Sequence, residues 1–387
     1  MDHELTSVPR DPARRVRRTI SRRQFLEHSA ALAATGSLVG SPGFCFAEQP
    51  AEPANSAPRD NSRLGDEALV AITLDLEMSR NFPQWSDTHW DFEKGNLDEA
   101  TKRYAREAAR RVKARGGVIH FFAVGRVFEQ PDVDWLKEIV DAGHAVGNHT
   151  YDHVNVKAQT LGDVQFRFQR APWLVAGRKP AEVVAENIRL TNLAFKERLG
   201  IEPAGFRTPG GFNNGLADRP DVQAMLLELG FKWVSSKYPA HELGAPPAAV
   251  AAAKNAGAPP AAMPDEAVFD SIVAAQAAAQ PFAYPSGLVE VPMSAASDVT
   301  AFRTGRWPLE SFLEATRRGL TWCLEHGATY DFLAHPSCLG VVDPEFRTID
   351  LICDLVAQSK QPARIVSLDA FAARAKKNDS AAKAADA

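Results

Sequence analysis

Cysteine is scarce in this sequence: four occur in 387 residues, at positions 45, 323, 338 and 353. No close spacing links them, which excludes a small disulfide-stapled scaffold. Charge of one sign is missing too. With 44 Lys and Arg against 48 Asp and Glu, the formal net charge is −4, so no nucleic-acid footprint is expected. No G-x-G-x-x-G or G-x-x-x-x-G-K-[ST] loop follows a candidate strand, leaving a nucleotide-binding open sheet without support. The apolar run from Ala30 to Val39 is too short to span a bilayer.

What is present is ordinary globular composition, 45% hydrophobic and 24% charged, with ample length for a core. The amino-terminal stretch differs from the rest. Residues 1–23 hold seven arginines and no lysine and end at Ser21-Arg22-Arg23-Gln24-Phe25-Leu26. The short apolar run, then Pro42, Gly43 and the small-residue site Cys45-Phe46-Ala47 come next. This resembles a bacterial twin-arginine export signal cleaved after Ala47. The resemblance implies passage through the twin-arginine machinery to the periplasm or cell envelope, with no stable membrane insertion afterwards. Residues 1–47 carry seven Arg against Asp2, Glu4, Asp11 and Glu27, so their removal takes the net charge from −4 to −7. Residues 48–65, rich in Pro, Ala and Asn, read as a disordered linker.

From there the pattern becomes a regular alternation. Buried-strand runs are expected at Ala68–Asp75, Val118–Val124, the short segment ending at His149, Ala204–Pro209, Phe231–Ser235, Leu288–Pro292, Tyr330–His335 and Arg364–Leu368. Helical stretches are expected near 98–115, 132–142, 181–199, 219–229, 308–326 and 346–358. Cys323 and Cys353 fall on two of these as small core residues. Residues 236–285, Ala/Pro-rich from Pro246 to Pro264, break the rhythm as an insertion with some helix and some disorder. Residues 376–387 read as a disordered tail. Strand–helix units in this number and order predict an α/β fold, a parallel sheet curled into a barrel, over residues 66–375.

Polar residues stand at the carboxyl ends of the strands, where such a barrel carries its chemistry. They are Asp75 and Glu77, His149 and His153, Arg207, and His335. His149 and His153 are four apart. One helical turn would put them on one side, where two imidazoles and a carboxylate make an open divalent-metal site. Each residue also has a bland reading, as a cap, a surface ion pair or a core histidine. Four coincidences at one end of one barrel weigh against it.

Thr73-Leu74-Asp75-Leu76-Glu77, His149-Thr150-Tyr151-Asp152-His153, Arg207-Thr208-Pro209-Gly210 and Phe332-Leu333-Ala334-His335-Pro336 follow one another as in the polysaccharide deacetylase family (NodB homology, carbohydrate esterase family 4), which the chain resembles over 66–372. The resemblance implies a distorted (β/α) barrel of about seven strands and removal of N-acetyl groups from an envelope glycan, peptidoglycan or chitin-like. It implies Asp75 as general base, Glu77, His149 and His153 as ligands of a divalent metal, usually zinc, Arg207 as the group orienting Asp75, and His335 as general acid. Pro209 and Gly210 in the third motif, with Trp85, Trp90 and Trp233, are the substrate-contacting candidates; the tryptophans offer faces on which sugars can stack, the 82–90 loop being the better placed and Trp233 suiting core packing at least as well.

Two departures stand out. The first-motif acids are separated by Leu76 and the second is a glutamate, as in the branch with peptidoglycan deacetylases and allantoinase-like amidohydrolases. Phe231–Tyr238 offers no carboxylate to orient His335, leaving Asp331 and Asp343 as candidates. The rival readings are an allantoinase-like hydrolase of a small non-sugar amide and a carbohydrate-binding protein without catalysis. Two histidines and a carboxylate also suit ferrous oxygenases, but the H-x-[DE] pairing usual there is missing.

Overall fold

The computed structural model describes residues 64–80, 82–84, 93–242 and 264–385. The expected signal, the linker up to residue 63, Trp85 and Trp90 lie outside the described residues.

Among the described residues nine strands form one sheet: β1 (Ala68–Leu76), β2 (Ile119–Ala123), β3 (Ala145–Asn148), β4 (Phe206–Phe212), β5 (Trp233–Lys237), β6 (Phe282–Ala283), β7 (Val289–Glu290), β8 (Thr329–Ala334) and β9 (Ala363–Ile365). Their order is β6-β7-β5-β4-β3-β2-β1-β8, with β9 also pairing β1. Every pairing is parallel except β6 with β7. The ninth strand, β6, lies in the stretch read as an insertion, where a two-residue antiparallel pairing leaves no periodic trace. The same stretch holds the helix Glu266–Ala277.

β1 shows why the sheet curls with two apolar faces. Its alternate residues Val70, Ile72, Leu74 and Leu76 pack outward with helix residues such as Tyr104, Ala108, Phe312 and Leu320. Leu69 and Ala71 face inward with Phe122, Trp233 and Val291. Side chains alternate across a strand, so burial of both faces demands the continuous apolar run seen here. The helix Leu368–Ala385 closes the bottom of this interior with Leu368, Phe371, Ala372 and Ala375. It continues through Lys376, so residues 376–385 are helical and not the disordered tail expected from composition.

The gap between β5 and β8 is bridged by the chain after β7. The Val291 N–H donates to the Val234 carbonyl, Met293 to Lys237, and Ser294 to the Asp331 carbonyl on β8. Six outer helices fall where their periodicity places them, Glu99–Ala114, Asp134–Asp141, Pro180–Leu199, Pro220–Glu228, Leu309–His326 and Arg347–Ala357. Cys323 and Cys353 are buried on the last two. No helix among the described residues is long and apolar enough to cross a membrane.

A buried histidine ties β2 to the entry of β3. The Ile119 N–H donates to His144 Nδ1 at 2.9 Å, and His144 is 4% exposed. Burial, with Lys113 nearby, lowers its pKa to about 4. His144 is therefore neutral in the fold and titrates near 6.5 when unfolded. The sign follows: stability is complete above about pH 6.5 and falls, by at most about 3 kcal/mol, as the pH drops towards 4. The expected result is that His144→Gln, which keeps an acceptor for Ile119, melts with less loss between pH 7 and pH 4.5 than the parent does. Equal losses in a thermal-melt series would remove His144 as the source.

Candidate active site

The polar residues gather at the carboxyl-terminal mouth around one guanidinium. Arg207, at the start of β4, is fully buried. Its Nη1 donates to Asp75 Oδ1 at 3.1 Å and to Thr73 Oγ1 at 2.7 Å, and its Nη2 donates to Asp331 Oδ2 at 2.6 Å. Ser235 Oγ accepts from Nε and Nη2 at 3.2 Å each. The guanidinium carbon lies 4.3 Å from the centre of the Phe122 ring, a cation–π floor. Two carboxylates on one buried cation leave excess negative charge. Burial accordingly pushes Asp331 up to about 6, although Arg207 and Thr73 pull it down.

β1 also delivers Asp75 and Glu77 to this mouth, two residues apart and both nearly buried. The histidines arrive differently from expectation. After β3 the chain does not make a helical turn. Thr150 and His153 adopt left-handed φ of 59° and 56°, unusual for residues with a Cβ. The turn is held by Asn148 Oδ1 accepting from the Thr150 N–H, Thr150 Oγ1 from Val154, and the Thr150 and Tyr151 carbonyls from Gly125 and Arg126. The two imidazoles meet edge to face with centroids 5.0 Å apart. Gly147 makes room for β3 itself, since a Cβ there would come within 2.5 Å of the Phe122 ring.

Ligand atoms of Glu77, His149 and His153 all lie within 4.8 Å of one another. His149 Nδ1 is 3.0 Å from the Arg207 carbonyl, which can only accept, so the proton sits on Nδ1 and the Nε2 lone pair faces the acids. That Nε2 is 3.6 Å from Asp75 Oδ2 and 3.9 Å from Glu77 Oε2. His153 Nε2 is 2.6 Å from Glu77 Oε2, yet Oε2 is buried without hydrogen-bond geometry to any donor among the described residues. Donor atoms that crowd without bonding one another fit a shared cation. Burial lowers the pKa of both histidines, that of His153 to about 4, so both are neutral ligands at neutral pH. Burial opposes the Glu77 charge, but His153, Lys94 and His335 outweigh it and hold Glu77 well below the usual carboxylate range.

His335, at the end of β8, lies opposite, its Nε2 3.7 Å from Glu77 Oε1. Its orienting acid is Asp298, which sequence reasoning missed. Asp298 Oδ1 is 2.9 Å from His335 Nδ1, and Oδ2 accepts the His335 backbone N–H at 2.6 Å. Burial works against the imidazolium, but Asp298, Asp75 and Glu77 raise it to about 8. The two carboxylates considered from sequence are engaged elsewhere: Asp331 on Arg207, and Asp343 accepting from the Arg347 and Thr348 N–H groups. No local signal marks Asp298. It follows the bridging segment after β7 as the N-cap of a short π-helix, Val299–Thr304, where its Oδ1 also accepts the Val299 N–H.

Of the substrate-contacting candidates, Pro209 is buried and Gly210 is exposed at φ 72°, where the β4 pairing shifts register. Trp233 is corrected. It is 5% exposed inside the barrel, its ring edge on to Phe122 and its Nε1 donating to Asp369 Oδ1 at 2.9 Å, so it offers no face to a sugar. Gly205 exists for it, since a Cβ there would come within 2.0 Å of the indole. Among the described aromatics Trp173 is the most open to solvent, 72% exposed, on the short 3-10 helix Pro172–Leu174 that follows the histidine turn in the chain. The preceding short helix, Phe166–Arg170, is tied to the histidine turn by Arg167, whose Nη1 is 2.6 Å from Asp152 Oδ1.

Sheet and mouth together make a barrel whose open end carries Glu77, His149 and His153, a group able to hold a metal ion. The family model described as polysaccharide deacetylase matches residues 92–229, the segment that carries His149, His153 and Arg207. Over that stretch, roughly a third of its length, the chain is similar to the polysaccharide deacetylase family. The fold is similar, with a TM-score of 0.51, to a Mycobacterium smegmatis protein described as a polysaccharide deacetylase, at 16% identity over 86% of this chain and 96% of that one. A Pseudomonas aeruginosa PAO1 protein described likewise gives 0.50, at 12% identity over 79% and 89%. The allantoinase Puue gives 0.52, at 13% identity over 84% and 96%. At these identities the likeness is one of fold. No curated protein sequence matches the chain.

The buried ion cluster sets a stability expectation. Arg207→Met leaves Asp75 and Asp331 facing each other without their cation and should cost about 3–5 kcal/mol in denaturant unfolding. A loss under about 1 kcal/mol would show that the cluster is not held by that charge.

Proposed function

We propose that the protein is an exported, metal-dependent N-deacetylase acting on an N-acetylated envelope glycan. One observation carries the reading: Glu77, His149 and His153 converge, with Asp75 and His335 beside them at the same mouth. A divalent cation held by these three, zinc being the usual choice for two imidazoles and one carboxylate, would supply a Lewis acid that acidifies water and polarises the amide carbonyl.

The chain's own residues divide the rest. Asp75 is held by Arg207 through Oδ1, and its Oδ2 lies on the histidine side, where it can take a proton from an attacking water. His335, fixed by Asp298 through both its ring and its backbone, stands across Glu77 to protonate the departing amine. The irregular backbone after Arg207, with Gly210 at the surface, is the place for an N–H to meet the oxyanion.

Two features support a glycan over a small amide. Trp173 presents an open aromatic face on the 3-10 helix just after the helix that Arg167 ties to the histidine turn, and such faces pair with apolar sugar surfaces. The twin-arginine-like leader would bring the enzyme to the compartment where cell-wall glycan lies. The allantoinase-like reading is the alternative on the same fold.

Acetate release from N-acetylated glycans, with allantoin and formamide compounds assayed in parallel before and after chelation, decides between them. Chelator-sensitive acetate release is expected; turnover of allantoin alone would transfer the site to the small-amide class. Asp75→Asn should lower turnover by at least about 1000-fold while metal content is retained, and retained activity would remove Asp75 as base. His149→Ala should lose the metal by elemental analysis, and unchanged content would contradict its role.

A further inference from the structure

Lys94 is a buried lysine that neither the motifs nor the reaction above uses. It is 8% exposed, and its Nζ donates to Glu77 Oε1 at 2.8 Å. The backbone fixes it there, because the Met78 N–H donates to the Lys94 carbonyl at 2.8 Å. Gln130 steadies the following turn by donating to the Leu97 carbonyl at 3.0 Å. The ammonium is therefore a built part of the site and not a surface side chain that happens to reach in.

Its consequence is a division of the Glu77 carboxylate. Oε1 belongs to Lys94, and Oε2, without a hydrogen bond, faces His153 and His149. Glu77 can then offer a cation one oxygen, not two. Each acid facing the histidines also has a cation already, Arg207 on Asp75 and Lys94 on Glu77. An incoming dication meets carboxylates whose charge is spent, with an ammonium a few ångströms away in a site of low effective dielectric.

We propose that Lys94 is a positioning residue that competes with the metal for Glu77. It keeps the carboxylate aimed and charged when no metal is bound, limits it to one-oxygen ligation, and so keeps the metal exchangeable. The proposal rests on the metal reading given above. It differs from a purely structural role in sign: a residue that merely holds Glu77 in place would weaken metal binding when lost, whereas a competing cation tightens it.

The test is zinc affinity of the full chain by competition with a chromophoric chelator at one fixed pH, for the parent protein, Lys94→Met and Lys94→Arg. Circular dichroism confirms folding, and Lys94→Gln replaces the methionine variant should that one not fold. The expected result is zinc binding at least tenfold tighter in the neutral variant and within about threefold of the parent in Lys94→Arg, with slower zinc release from the neutral variant. A parent that binds zinc and a neutral variant that binds it equally or more weakly overturns the proposal. Zinc taken up by none of them overturns the metal reading itself, and this proposal with it.

Discussion

One buried cation organises the mouth of this barrel. Arg207 is fully enclosed, and a guanidinium without water needs its donors met by acceptors and its charge met by acids. Thr73, Asp75, Ser235 and Asp331 meet that need from β1, β5 and β8, with Phe122 of β2 beneath. Strands from across the sheet thus converge on one charge. Asp75 is held as part of that structural solution, so the position of the proposed base and the closure of the barrel share one cause.

The same economy appears where the sheet fails to close by strand pairing. The chain after β7 crosses from β5 to β8 through single backbone hydrogen bonds and then supplies Asp298. This carboxylate holds both the ring and the backbone of His335 at the end of β8. The crossing segment and the short π-helix it enters, Val299–Thr304, do two jobs here, sealing the barrel and orienting His335. That explains why the residue was invisible in a strand–helix pattern.

What was legible in the sequence is what periodicity and residue chemistry can encode. Continuous apolar runs marked eight of the nine strands, because strands buried on both faces leave no other option. Helix limits such as 309–326 and 347–357 agree with expectation to a residue or two, fixed by Pro308 before one and Gly327 after it. The long-range partners were not legible. Asp331 looked like a candidate for His335, but register places it across from Ala71 on β1, pointing at Arg207. Trp233 read equally as a sugar platform or a core residue, and the inward face of β5 puts it in the core. The spacing of His149 and His153 suggested a helical turn. The chain reaches the same juxtaposition through two left-handed residues, a geometry that depends on Asn148 and Thr150 side chains rather than on spacing.

The ion pairs assign each carboxylate of the cluster a separate partner. Asp331 completes Arg207, Asp298 completes His335, and Glu77 is shared between Lys94 and the two histidines. Asp75 differs from all three. Its Oδ1 is held by Arg207 while its Oδ2 lies 3.6 Å from His149 Nε2, with no cationic side chain paired to that oxygen among the described residues. A group that must accept a proton needs one oxygen anchored for aim and one left available. Asp75 meets both conditions because the buried guanidinium divides its attention with Asp331. The second acid on Arg207 takes the Nη2 donor, so the guanidinium reaches Asp75 through Oδ1 alone and leaves Oδ2 open on the histidine side, as the proposed base requires.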